Sequence, residues 1–369
     1  MCIRDRSRED RGNHIQVNLD NVTDGQEHNF NQHIADGDDI GGYDFGSIMH
    51  YGRFAFSKNG LPTIEPLGGE TIGQRSGMSD GDINAVNELY PPALVSGLCT
   101  IQQKSNNRFL DAHIGNNDSS VVTRTSQNNS TQRWILNPVG IVATMRQFSS
   151  GRYLDAHETQ NNDFSAVTRP RQDDDTQLWI ISQHPTGIGR CWLQQLKNGR
   201  FLDAHIGSND SSVVTRTAQN NDTQTWSLSP VEGDRFEIRH VASGQLLDAH
   251  ETQNNDFSAV TRPRQDGDTQ LWRISPKGTV CTMQQQSSLR YADGHTTTDN
   301  DFSTVTRTRQ DDATQRWVVM PDTTDSFVIR HATNGRFLDA HETSSNDFSA
   351  VTRTAQNNNT QRWLIKELD

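Results

Sequence analysis

Six aspartates carry the clearest chemical pattern in this 369-residue chain: Asp111, Asp155, Asp203, Asp248, Asp293 and Asp339. A histidine follows each by two residues (His113, His157, His205, His250, His295 and His341). A carboxylate and an imidazole at that spacing share one strand face, where they can hydrogen-bond or help to hold a metal. The histidines lie a full repeat apart, so the pattern favours structural hydrogen bonding over a metal site. An arginine stands 13 or 14 residues after each aspartate, as Arg169 does after Asp155. Such a pair either forms an internal ion pair that fixes a hairpin or leaves the carboxylate free for a ligand. A second pattern, Ser-Ile-Met-His-Tyr at residues 47–51, reads alone as a polar turn with core side chains. His14, His28, His33 and His50 lack the i, i+4 spacing that converges two imidazoles, and His-Glu-x-x-His does not occur in the chain.

Repetition supplies the elements that position these groups. The aspartates recur at intervals of 44, 48, 45, 45 and 46 residues. Trp134, Trp179, Trp226, Trp272, Trp317 and Trp363 follow them by 23 or 24, which excludes disorder and predicts a core anchor in each unit. In the first unit, alternating runs at Cys99–Gln103, Arg108–His113, Ser120–Arg124 and Gln132–Leu136 predict four strands between Asn, Asp, Ser and Gly turns. Four strands per unit fit either a six-bladed β-propeller or two β-trefoils of three units each. Only 31% of residues are hydrophobic, so several small cores are expected rather than one large one. No apolar run is long enough to span a membrane. Net charge is −12, divided as −8 over residues 1–95 and −4 over the rest, which argues against nucleic acid and anionic membranes as partners. Four cysteines are too few for a disulfide scaffold, and the charged start MCIRDRSRED has no apolar signal-peptide core.

Each unit closes with Gln-x-Trp and carries Leu-Asp-Ala or a close variant earlier, and residues 97–369 thereby resemble the ricin B-type lectin family. That resemblance selects the trefoil. The expected fold is mostly β: a partial metzincin (α+β) subdomain over residues 7–95, then two tandem β-trefoils at 97–230 and 231–369, with the propeller as alternative. Residues 1–6 are expected to be a foreign start. The resemblance implies carbohydrate binding through Asp155 and Gln177, Asp248 and Gln270, Asp293 and Gln315, and Asp339 and Gln361. Val-Thr-Arg replaces the family's stacking aromatic, so Phe164, Phe257, Phe302 and Phe348 are the substitute rings. Units 1 and 3 have Ser119 and Ser211 in that place, and their pairs Asp111 and Gln132, and Asp203 and Gln224, rank as weaker sites.

Residues 7–91 read HIQVNLDNV, NFNQ, YDFGSIMHYG, PTIEP and LY in order, and resemble the C-terminal half of the astacin family of zinc metalloendopeptidases. The resemblance maps the Met-turn beneath the zinc onto Met49 and a switchable zinc ligand and oxyanion stabiliser onto Tyr51. The family's histidine ligands and catalytic glutamate have no counterpart here, so zinc and catalysis are expected of a longer parent protein and not of this chain. The implied whole is a secreted, extracellular peptidase acting on proteins or peptides, with trefoils that tether it to glycans or glycoproteins. The alternative is a non-enzymatic lectin or adhesion protein with a protease remnant.

Overall fold

The computed structural model describes residues 7–32, 42–79, 81–82 and 96–368, apart from Asn116, Asp173, Thr186, Ile188, Asn220, Glu232, Gly233, Asp311, Thr323, Thr324 and Asn357. The expected foreign start and His33 lie outside the described residues. Two units divide the chain, Met1–Pro91 and Pro92–Asp369.

In the first unit a short antiparallel pair, Ile15–Val17 with Ile64–Pro66, joins single-turn 3₁₀ segments around a small core of Ile15, Val22, Phe30, Ile64 and Ile72. Tyr43, Phe45 and Tyr51 pack on its edge. Gly73 is dictated by contact: a Cβ there would lie 2.3 Å from the Cα of Gly52, and its φ is +84°.

The second unit is built from the six repeats, and the strands of the first begin within two residues of where the alternation predicts. Gly97–Gln103, Phe109–Ala112 and Ser119–Arg124 are three of them. The fourth does not end at Leu136; it runs from Trp134 to Gln147, straight into the second repeat. A matching long strand, Leu271–Gln285, joins repeats 4 and 5. The two pair antiparallel along their whole length, from Trp134 opposite Gln285 to Gln147 opposite Trp272.

This ribbon corrects the tandem partition. One core gathers Trp179, Trp226 and Trp272 from repeats 2, 3 and 4. The other gathers Trp134, Trp317 and Trp363 from repeats 1, 5 and 6. One trefoil is therefore inserted whole into another, which is split between residues 97–138 and 278–368. A side chain eight residues before each repeat aspartate closes the rings by donating to a threonine carbonyl of the preceding repeat. In the inserted trefoil, Gln147 reaches Thr269 at 2.8 Å, Gln195 reaches Thr176 at 2.7 Å and His240 reaches Thr223 at 3.0 Å. In the split trefoil, Gln103 reaches Thr360 at 2.8 Å, Gln285 reaches Thr131 at 2.9 Å and His331 reaches Thr314 at 2.8 Å. The last strand, Arg362–Glu367, pairs with the first, Gly97–Gln103, which seals the split ring.

At the expected boundary repeats 3 and 4 meet as paired strands, Trp226–Pro230 and Arg235–His240, with Val231 N donating to Arg235 O at 2.9 Å. Between the trefoils, Val142, Ile180, Leu196, Val280 and Val318 form a further buried apolar cluster, and Arg330 meets Asp175 at 2.8 Å. Gly140 and Gly278 mark the crossing strands; a Cβ would come within 2.7 Å of Ile181 O and 2.5 Å of Val319 O, respectively.

Candidate functional site

Each repeat tryptophan is fully buried and donates its indole N–H to the carbonyl of the residue before the repeat aspartate, for example Trp179 to Leu154 at 3.0 Å. The preceding Gln-x element is a clasp: Gln177 Oε1 accepts from Gln172 N at 2.9 Å while its Nε2 donates to Pro170 O at 2.9 Å. Gln132, Gln224, Gln270, Gln315 and Gln361 make the same two bonds in their own repeats. All six glutamines are buried.

The repeat aspartates are buried too, with Asp111, Asp155, Asp248 and Asp293 at 0% exposure. Asp155, Asp248 and Asp339 each accept from the next residue's N–H at 2.7 Å. Arginine lies 3.2–3.7 Å away in four repeats: Arg124 to Asp111, Arg169 to Asp155, Arg262 to Asp248 and Arg307 to Asp293. The internal ion pair is thus what the structure places here. None of these aspartates and glutamines is more than 3% exposed, so in this structure they serve the hairpin rather than present an open carboxylate or amide to a sugar. The sequence pattern is that of a lectin site, but burial gives it to hairpin closure.

Phe164, Phe257, Phe302 and Phe348 are half-buried, in left-handed backbone at φ near +50°. An arginine of the next repeat in the same ring covers each: Arg200 over Phe164, Arg152 over Phe257 and Arg108 over Phe348 at 3.6 Å, and Arg336 over Phe302 at 3.7 Å. Each of these arginines also donates to a threonine carbonyl, as Arg152 does to Thr168 at 2.7 Å. Burial pulls all four guanidinium pKa values down, and a neighbouring arginine adds to the effect. The substitute rings therefore pack across the junctions between repeats, each against an arginine.

Partly exposed groups gather where repeats meet. His157 Nε2 lies 2.8 Å from Asp256, and His113 Nε2 lies 3.1 Å from Asp347. His250 is 3.6 Å from Asp210 and His341 is 3.7 Å from Asp301. The repeat arginine donates to the same ring in each case, as Arg169 does to His157 at 3.2 Å. His205 and His295 bond Arg216 and Arg307 at 2.7 Å. These histidines are engaged in hydrogen bonds, and no group of three metal-capable side chains exists among the described residues.

In the first unit the turn ahead of Tyr51 is tied to Asp82, which accepts from Ser47 Oγ at 2.7 Å and Ile48 N at 2.8 Å. Burial raises the Asp82 pKa, but these donors and Ser79 outweigh it and hold the carboxyl below its ordinary value. Met49 is exposed at the tip of this turn, and the half-buried Tyr51 ring lies against Phe30 and Phe56. His50 is fully buried between Tyr43 OH at 2.8 Å and Tyr51 O at 2.7 Å. His14 stacks on Tyr43, and His28 Nδ1 meets Gly25 O at 2.9 Å. These histidines do not converge, so the described residues do not fit a catalytic zinc.

Residues 3–91 match the family model for astacin, a peptidase family. Ricin-type β-trefoil lectin models match residues 234–363 and, in a lectin-like form, 175–261. The chain joins an astacin segment to ricin-type lectin trefoils. The astacin match begins inside the six residues set apart from the sequence. The longer lectin match runs through repeats 4, 5 and 6, which are consecutive in sequence, whereas folding groups repeat 4 with 2 and 3. Zinc metalloproteinase nas-13 of Caenorhabditis elegans is 45% identical over 91 residues, 24% of this chain and 20% of that protein. Low choriolytic enzyme of Oryzias latipes is 45% identical over 89 residues, 23% of this chain and 32% of that protein. The solved structure of high choriolytic enzyme 1 from the same fish shares 39% identity over 24% of this chain and 46% of that chain, with a TM-score of 0.22. The chain thus spans a fifth to a third of the length of these curated astacin relatives.

Proposed function

We propose that the chain is part of a secreted zinc-dependent metalloendopeptidase whose trefoils hold it to carbohydrate-bearing proteins or surfaces. The observation that carries the catalytic half is the Asp82-anchored turn through Ser47, Met49 and Tyr51, within a segment that matches the astacin family. Peptide-bond hydrolysis by zinc-activated water belongs to the parent protein in this reading. The 369 residues lack His-Glu-x-x-His, so this chain alone holds no catalytic zinc and does not cleave peptides. Its surroundings are extracellular. The lectin half rests on the family match and on the partly exposed His, Arg and Asp groups at the junctions between repeats, not on the buried aspartates. Tethering raises the local concentration of substrate without altering the chemistry.

The test compares this chain with one extended by the coding sequence upstream, measuring bound zinc and casein hydrolysis. An extended chain with His-Glu-x-x-His in frame should bind one zinc and cleave casein, and Tyr51→Phe should slow it. Stoichiometric zinc and hydrolysis by the 369-residue chain itself would overturn this reading. An upstream sequence without the motif would leave a lectin with a protease remnant. Glycan-array binding tests the trefoils separately.

A further inference from the structure

Four of the six junctions between repeats are closed by a phenylalanine under an arginine, and two are not. In the inserted trefoil the unclosed junction lies between repeats 3 and 4, where Ser211 stands in place of phenylalanine and Gln245 in place of arginine. It is satisfied internally: Gln245 Nε2 donates to Ser208 O at 3.0 Å, and its Oε1 accepts from Thr261 at 3.0 Å. In the split trefoil the unclosed junction lies between repeats 1 and 5, where Ser119 faces a repeat that keeps its arginine, Arg290.

Arg290 has lost both supports its four counterparts enjoy. No ring covers it, and its guanidinium donates to no acceptor among the described residues; Nη1 is buried and unpaired. The carbonyl it would reach by analogy, that of Thr306, instead accepts from Asp118 N at 3.1 Å. Asp118 does not compensate the charge, because its carboxylate pairs with Arg307. Gln286 Oε1 and Ser287 Oγ, on the same turn, are also buried without partners. Leu289 completes the turn in left-handed backbone at φ +57°, where repeats 2, 3, 4 and 6 use glycine, and it is 63% exposed. A strained, solvent-facing leucine stands beside a half-buried cation with a buried, unpaired nitrogen, and each costs stability.

We infer that the junction of repeats 1 and 5 binds the anionic group of an acidic saccharide, a carboxylate or a sulfate, on the guanidinium of Arg290. A guanidinium presents a planar fork that matches either group in a bidentate pair. Leu289, exposed beside it, offers an apolar surface for sugar C–H groups. The inference rests on the carbohydrate reading of the trefoils and names the chemistry of one site within it.

The experiment titrates the full chain with glucuronate-terminated, sulfated and neutral galactose-terminated oligosaccharides by calorimetry, alongside Arg290→Gln. That variant installs the residue found at the matching junction, and its urea unfolding is compared with that of the parent chain. Arg152→Gln, beneath the ring of Phe257, is the control. Loss of the charge-assisted pair should weaken the acidic ligands about tenfold or more and leave neutral ones unchanged. Arg152→Gln should leave both unchanged. Acidic binding that survives Arg290→Gln overturns the inference while the lectin reading stands. Binding of neutral sugars only does the same, and binding of no saccharide overturns both. The two acidic arms identify which anion the site takes.

Discussion

Replacing Phe257 and Arg152 singly and together, in a double-mutant cycle, measures whether repeat 4 closes on repeat 2. The Arg152 guanidinium carbon lies 3.6 Å above the Phe257 ring centroid, and two bonds to Thr168 O, at 3.1 and 2.7 Å, hold it there. Cation–π pairs contribute about 0.5–1 kcal/mol when exposed and about 2 when desolvated. Both partners here are partly buried, so a coupling of about 1 kcal/mol is expected. Each single change should cost more than that, because Arg152→Ala also forfeits its hydrogen bonds and Phe257→Ala leaves a void. The cycle subtracts those costs and isolates the pair. Urea unfolding followed by tryptophan fluorescence reads the correct region, since all seven tryptophans lie in the trefoils. A tandem order of repeats 4, 5 and 6 would instead set Phe257 on Arg290. The decisive comparison is therefore a second cycle, Phe257 with Arg290, for which coupling below about 0.3 kcal/mol is expected. Coupling at Phe257 and Arg290, with none at Phe257 and Arg152, would refute the nested arrangement.

Residues 140–276 expressed alone should fold with three buried tryptophans, whereas 97–230 should not; circular dichroism melts distinguish them. Gln177→Ala opens the clasp of one repeat and should cost about 1–3 kcal/mol in urea unfolding, without changing sugar affinity. Burial pushes the Cys99 and Cys191 thiols up to about 12 and Cys281 higher still, so iodoacetamide at pH 8 should label none of the three until the chain unfolds. Burial lowers the pKa of His240 and His331 below 6.5, and their backbone hydrogen bonds offset only part of the shift. The unfolded chain then binds more protons, so stability should fall as pH drops from about 6.5 through the lowered native values. His240→Gln, which installs the residue used by repeats 2 and 3, should flatten that slope.

The strands, the turns and the tryptophan anchors were legible because each repeat states them in its own alternation. Asp155 with Arg169 was legible only as an ambiguity, since a carboxylate reserved for a ligand and one paired inside a hairpin have the same spacing. Burial decides it, and burial is set by the neighbouring repeats. The grouping of repeats was the larger miss, although traces of it exist. Pro-x-Gly-x-Val occurs at Pro138–Val142 and Pro276–Val280, in both crossing strands and at no other repeat junction. From Trp134 to Asp155 and from Trp272 to Asp293 the spacing is 21 residues, against 22–24 at the other junctions, too short for a returning turn. Phenylalanine and arginine also match only in the nested order: all four phenylalanines then meet an arginine, whereas the tandem order sets Phe348 against Gln245.

Nesting sets a timetable for synthesis. The side chain of Gln103 closes on Thr360, 257 residues further along. At about 5–20 residues per second, repeat 1 leaves the ribosome roughly 10–50 s before its partner exists. The inserted trefoil can mature in that interval, while the first repeat waits with open strand edges. Nascent chains stalled between residues 280 and 360 should thus be the species that chaperones hold and that aggregation captures.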